Sequence, residues 1–378
     1  MNKRRWVIIA LSFASMIGVS IWIAKASRVA DATPVLMPWW AHLLALTAVA
    51  IEITSRALKI GWSAAALRIR VTFPTSLRTC VGGDLGAAIT PARTGAEPAR
   101  FLILAEGGVK PADALMILFM ELFLEMLSLA FIAIVLAFVF NGAGRVIGTL
   151  LGMIGGYAGV VLGAGAFGVI LAHRNAHGPP PEWALRLRLH AGRWRVIQLQ
   201  LRQLRISIEQ VKHARVGMML ASFAASIVHV GTRLTILPLI VFALGDPKFG
   251  ANVANLVLWP LAILYGGAIA PAPGGGGLIE LSFRQTLRHA ISGSYFGASL
   301  NWWRFYTYWL YIVLGSIAAG HVVLRALRKR DLEKLHGHLH VAVIKAHTEE
   351  QAAAHREERA PRASARSPRR GPTRCARW

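Results

Sequence analysis

The sequence predicts an all-α, polytopic integral membrane protein with about six to eight transmembrane helices and two broken or re-entrant segments. Three observations carry this. Several uninterrupted apolar runs come close to the roughly 20 residues that cross a hydrocarbon core. The 378-residue chain is 55% hydrophobic yet carries a formal net charge of +24. The surplus of Lys and Arg is concentrated in 172–215 and in the tail after 324, with few in the other short loops. That asymmetry is the positive-inside pattern of membrane proteins.

The same charge also rules readings out. A strongly basic chain invites a nucleic-acid reading, but here the basic blocks flank apolar spans and no nucleic-acid motif accompanies them. Cys80 and Cys375 are far apart and form no CxxC pair, so neither a disulfide framework nor a redox motif is available.

Taken in order, Asn2–Arg5 supplies positive charge ahead of the apolar run Trp6–Ala24. Ala24-Lys25-Ala26 has the form of a cleavage site, but the run is long for a signal peptide and reads as a retained first span. Trp39–Ile60 is the second span, with Trp39 and Trp40 at interfacial depth and Glu52 turned toward other helices. Arg56, Lys59, Arg68 and Arg70 read as cytoplasmic flank charges. Phe73–Gly108 is too polar and too broken to cross, and reads as a re-entrant segment covered by protein. Ala112–Phe140 and Val146–Leu171 are spans joined at Asn141–Arg145. The second is rich in glycine at small-xxx-small spacing, which serves helix packing.

His173–Arg215 holds nine Lys or Arg against two Glu. Its apolar periodicity from Trp194 onward predicts an amphipathic helix on the inner membrane surface. Gly217–Leu244 is a further span with His229 and Arg233 on one face. Ala251–Ala270, the glycine run, the amphipathic piece Leu278–Ile291 and the span Gly297–Leu324 complete a membrane domain over 1–325. Residues 326–378 read as a basic, largely disordered cytoplasmic tail. This parity places both termini in the cytoplasm.

Two stretches stand out. In Gly82–Glu125, Pro91 and Pro98 break the helix, and Arg93, Glu97 and Arg100 share a face if locally helical. Two readings stand side by side: arginines cradling a phosphate at a helix N-terminus, or a buried Arg–Glu–Arg pairing that holds the fold. Glu121 and Glu125 lie four apart in an apolar helix, where carboxylates are costly and therefore functional candidates. They need an arginine between them or a proton on one. The second stretch, Pro271–Arg284, carries Pro271, Pro273, Gly274, Gly275, Gly276 and Gly277 as a hinge, followed by Glu280. It has no GK[ST] and no dinucleotide fingerprint, so no cofactor is expected. The alternating His336, His338 and His340 do not make a metal site. Oppositely oriented broken segments in corresponding places of two halves point to a binding site between inverted repeats.

Gly86-x-x-x-Thr90-Pro91-Ala92-Arg93-x-Gly95-x-x-x-x-Arg100, then Glu121-x-x-x-Glu125, Pro271-x-Pro273-Gly274-Gly275 with Glu280, and the aromatics after Arg304 resemble one known family. It is the flippase-like membrane domain of lysylphosphatidylglycerol synthases and their stand-alone relatives. The resemblance covers most of 6–325. It implies an inner-membrane protein that moves a phosphate-bearing lipid between leaflets or assists a lipid-modifying pathway. Arg93, Arg100 and Arg304 would then hold the lipid phosphate, and Glu97, Glu121, Glu125 and Glu280 would balance charge. Membrane lipids and lipid-pathway enzymes are the partners this implies. Only about fifty residues follow the membrane domain, against the large aminoacyl-transferase domain of the bifunctional members. A lipid-modifying transferase and a non-catalytic pathway partner remain as alternatives, but no nucleophile or metal constellation speaks for an enzyme.

Overall fold

In the computed structural model of the chain, the described residues are 3–26, 36–140, 144–174, 194, scattered helical positions from 198 to 211, 213–266, 273–275, 277–320 and 322. The hinge residues Pro271 and Gly276, much of the basic loop and the tail lie outside them. Among the described residues all regular structure is helical, in ten α-helices and three tighter or wider turns. These are α1 (Lys3–Ala26), α2 (Trp39–Ala66), α3 (Phe73–Ala88), α4 (Ala96–Glu106), α5 (Pro111–Val139), α6 (Gly144–Arg174), α7 (Val216–Ala243), α8 (Phe249–Gly266), α9 (Leu278–Leu287) and α10 (Gly293–Arg304). A π turn, Phe305–Trp309, follows α10, and the helix resumes over 310–320.

Helices α5, α7 and α8 are both long and apolar enough to cross a membrane. At 28 residues α2 has the same reach, but it is a membrane helix with its polar side inward. Ala41, Ala45, Ala48, Glu52, Arg56 and Lys59 recur at helical spacing on its buried face, while Leu43, Leu46 and Ile51 are exposed. Arg56 and Lys59 are therefore not flank charges at the helix end, as their spacing from the last apolar run suggests. Lys59 is 0% exposed and α2 runs on to Ala66.

The centre of the fold is the long pairing of α2 with α7, with α5 against both. The small residues on α2 let the backbones close, and hydroxyls then lock the register. Ser63 and Ser222 share a hydrogen bond of 2.9 Å, and Ser222 Oγ donates to the Lys59 carbonyl at 3.0 Å. One turn further along the same face of α7, Ser226 meets Ser128 of α5 at 2.7 Å. The polar stripe Ser222, Ser226, His229 and Arg233 thus runs along one face of α7, toward α2 and α5. Outward-facing Leu115, Leu127, Phe131, Ile134 and Phe138 on α5 present an apolar surface, as a helix flanked by lipid requires.

Both broken segments are present. Helices of 16 (α3), 11 (α4) and 10 residues (α9) are too short to cross a core of about 30 Å at about 1.5 Å per residue. Thr72 caps α3 with Pro74 in its first turn, and the proline at 91 ends the helical run. The chain then turns through Pro91–Arg93 and packs back on itself as α4. Thr90 closes the break: its hydroxyl donates to the Gly86 carbonyl at 2.7 Å and accepts from the Gly95 N–H at 2.7 Å. Backbone groups freed by the break are thereby paired inside the protein. Near the far end of the bundle, Asp246 accepts from the Ser292 N–H at 2.8 Å and the Ser292 hydroxyl at 2.7 Å, tying the turn after α7 to the start of α10.

Candidate functional site

The two breaks are conformational copies of each other. Pro91-Ala92-Arg93 and Pro273-Gly274-Gly275 both form a single 3-10 turn. In each the middle residue is left-handed, with φ 50° and ψ 28° at Ala92 and φ 62° and ψ 10° at Gly274. The third residue has positive φ as well, 55° at Arg93 and 76° at Gly275. Each turn leads into a short helix in the same register, α4 from Ala96 and α9 from Leu278. The second turn uses glycine for this geometry, and a Cβ at Gly274 would run into the Tyr308 ring and hydroxyl. The first turn holds two side-chain-bearing residues there, at a cost on the order of 1–3 kcal/mol each. That strain presents Arg93.

The turns pack against each other. Where they meet lies a cleft with about 550 Å³ of empty space, part of it open to the outside. Its charged lining is Asp84, Arg93, Arg233 and Arg304, completed by Gly274, Gly275, Thr307 and Tyr308 and by the apolar Ala87, Leu264, Ile279 and Ile312. Arg304, Thr307, Tyr308 and Tyr311 reach this wall together because they follow one helical face across the π turn. Behind the cleft, a smaller chamber of about 360 Å³ is lined by Arg56, Arg93, Arg100, Glu125, His229, Arg233, Leu264 and Tyr265. Arg93, Arg233 and Leu264 line both spaces and so form the wall between them.

Around these spaces the charges sort into three groups. In the first, Lys59 Nζ lies between the two carboxylates of α5, 2.7 Å from Glu121 and 2.6 Å from Glu125. Arg100 takes the other Glu121 oxygen at 3.0 Å and Glu97 at 3.2 Å, and Tyr265 donates to Glu125 at 3.3 Å. Gly83 makes room for Arg100: a Cβ there would stand 2.6 Å from its Nε. In the second, Arg56 grips Asp84 with two hydrogen bonds of 2.7 and 2.9 Å. Glu52, fully buried, is the hub of this group. Arg56 lies 3.6 Å, His229 3.4 Å and Arg233 3.6 Å from one of its oxygens, and the Tyr311 hydroxyl donates to the other. In the third, Arg304 Nε stands 2.6 Å from Glu280, and its Nη2 donates to the Gly274 carbonyl at 3.4 Å. Its guanidinium also lies over the Tyr308 ring at 4.3 Å.

Arg93 differs from the rest. No carboxylate stands within ion-pair distance of it among the described residues, whereas Arg56, Arg100, Arg233 and Arg304 each have one. The structure therefore brings Arg93 and Arg304 to one cleft, with Arg100 in the chamber behind. Glu97, Glu121 and Glu125 gather on Lys59 and Arg100, and Glu280 stands on Arg304. Pro91, Pro273, Gly274 and Gly275 form the paired turns, Gly277 caps α9, and Pro98 lies within the first turn of α4 rather than at a break. Sequence reasoning missed Lys59, Arg56 and Asp84 as members of the site. Their signal was available: an i, i+4, i+7 ladder of Glu52, Arg56 and Lys59 can only face inward in a helix of membrane length. Among the described residues no group of His, Cys, Asp and Glu is arranged to hold a metal ion.

Residues 7–315 match the family described as the lysylphosphatidylglycerol synthase TM region. The chain belongs to that family. No curated protein matches the chain. The match spans both breaks, all three charge groups and the cleft, so the site described above lies wholly inside the lysylphosphatidylglycerol synthase TM region.

Proposed function

We propose that this protein is a lipid translocator that moves a phosphate-bearing lipid between the leaflets of a bacterial-type inner membrane. One observation carries the proposal. Arg93 is held in a strained turn, on the wall of a cleft between two matched breaks, with no carboxylate of the described residues within ion-pair distance. A guanidinium in that position is prepared for an anion from outside the chain, and its planar fork suits a phosphate. Arg304 lines the same cleft, and Arg100 stands in the chamber behind it. The apolar walls at Leu264, Ile279 and Ile312 suit the acyl part of the same ligand.

The two matched breaks give the movement its form. Half-helices meeting at mid-depth, each free to rock about the α2–α7 pair, would open the cleft toward one leaflet and then the other. The basic loop and tail would lie on the cytoplasmic side, where they attract anionic headgroups. Family membership supports a lipid-handling role.

The reading is tested by reconstituting the purified protein in vesicles with a fluorescent phosphatidylglycerol and following its accessibility to a membrane-impermeant quencher. Loss of one charge-assisted contact of about 1.5–3 kcal/mol should slow Arg93→Gln by about tenfold or more. Equal rates for wild type and R93Q would overturn the assignment.

A further inference from the structure

The inner chamber holds a titratable group that the translocator reading does not use. We propose that His229 is a proton site coupled to the cleft: it takes up one proton when a phosphodiester anion settles beside Arg93 and releases it when the anion leaves. This rests on the reading of the cleft as an anion site and adds to it the coupling ion.

The argument starts from charge balance. Five carboxylates, Glu52, Asp84, Glu97, Glu121 and Glu125, stand in the two linked groups around the chamber. Five permanent cations stand with them: Arg56, Lys59, Arg100, Arg233 and the unpaired Arg93. Arg304 and Glu280 balance each other separately. With His229 uncharged this assembly, of which Glu97 is the half-exposed member, is neutral only because Arg93 is free. An anion on Arg93 leaves one uncompensated negative charge in a low-dielectric interior, which is strongly disfavoured. One added proton restores neutrality.

His229 is the group placed to accept it. The carboxylates are already engaged: Glu121 and Glu125 share Lys59, Asp84 is gripped by Arg56, Glu97 lies on Arg100, and Glu52 accepts from the Tyr311 hydroxyl and stands 3.6 Å from both Arg56 and Arg233. His229 is 2% exposed and lines the chamber, and its Nδ1 is buried without a hydrogen-bond partner. Its Nε2 faces Glu52 Oε1 at 3.4 Å, so a proton on either nitrogen is balanced by that carboxylate. The groups facing it are Glu52, Arg56 and Lys59 of α2, Arg93 of the first turn, Arg100 of α4, Glu125 of α5, Arg233 of its own helix, Tyr265 of α8 and Tyr311 beyond the π turn. Cations outnumber carboxylates in this shell while the cleft is empty. An anion on Arg93 cancels one of those cations and tips the balance. The proton comes from the aqueous phase and adds to whichever ring nitrogen lacks one, with no bond broken in the ligand. A lipid anion and a proton would then cross together without net charge, and a proton gradient would drive the movement.

The test is calorimetric titration of the full-length protein in detergent with a short-chain phosphatidylglycerol, a phosphodiester that does not itself titrate near neutrality. Each titration is run in two buffers of different ionisation enthalpy, and repeated between about pH 6 and about pH 8 around the ordinary histidine range. The expected result is uptake of about one proton per lipid, with an affinity that falls by up to about tenfold per pH unit above the midpoint. In His229→Gln and His229→Asn the uptake should vanish, and affinity, though weaker, should lose its pH dependence. Lipid binding by the wild type without proton uptake overturns the coupling alone, and this arm needs no variant to fold. Undiminished uptake in a folded variant overturns the assignment to His229. No lipid binding at all overturns the cleft reading and the coupling with it.

Discussion

Replacing Lys59 by Met isolates what holds the middle of the site together. Lys59 Nζ sits 2.7 Å from Glu121 and 2.6 Å from Glu125, and Lys59 and Glu121 are essentially inaccessible to solvent. At an effective dielectric near 20, an ion pair at such a distance is worth about 6 kcal/mol of attraction. Desolvating the three groups offsets much of this, so the intact triad adds little net stability. Removing its cation is another matter. K59M leaves two carboxylates one helical turn apart, with Arg100 on one of them and, among the described residues, the Tyr265 hydroxyl on the other. Breaking a buried pair in this way costs about 3–5 kcal/mol, a fall in melting temperature on the order of 10 °C. Thermal unfolding in a mild detergent, followed by tryptophan fluorescence, measures it. The triple variant K59M/E121Q/E125Q removes the charges together and should recover more than half the loss. If K59M alone melts with the wild type, Glu121 and Glu125 are not both ionised in the folded protein. The charge accounting above would then be refuted.

Two further outcomes follow from the cleft wall. Tyr311→Phe removes the hydroxyl that donates to the buried Glu52. It should cost about 1.5–3 kcal/mol in the same unfolding measurement, because the acceptor is charged and cannot reach water. Gly274→Ala places a methyl group against Tyr308 at a φ of 62°. A loss of about 1–3 kcal/mol is expected from strain and overpacking, with slowed lipid movement in the vesicle assay, and Tyr308→Ala in the same chain should relieve the steric part. A stable, active G274A would mean that the second turn does not need its left-handed geometry.

How much of this was legible in the sequence differs from element to element. The apolar runs, the basic segments and the proline and glycine breaks are local signals, and they sufficed for an all-α membrane fold with two interrupted segments. The candidates Arg93, Glu121, Glu125 and Glu280 could be singled out because a charge inside an apolar or broken helix has few neutral explanations. Partnership could not be read in the same way. Glu121 needed a cation, and arginines were the expected source, yet the structure supplies Lys59 from a helix sixty residues earlier as well as Arg100. Arg56 and Lys59 read as membrane-flank charges because hydropathy alone does not distinguish the end of a span from an inward polar face. The likeness of the two turns was equally hidden, since Pro-Ala-Arg and Pro-Gly-Gly share a backbone conformation and only their proline.

The sequence by itself thus determined the solvent of this chain, its helical class and the places where its helices break, because hydrophobicity and backbone restriction are properties of single residues and short runs. Only the tertiary structure decided which arginine of the site has no carboxylate of the described residues within ion-pair distance. That depends on which side chains from α2, α4, α5 and α7 reach one another across the bundle, and electrostatic energy in a buried site is set by those distances rather than by position along the chain.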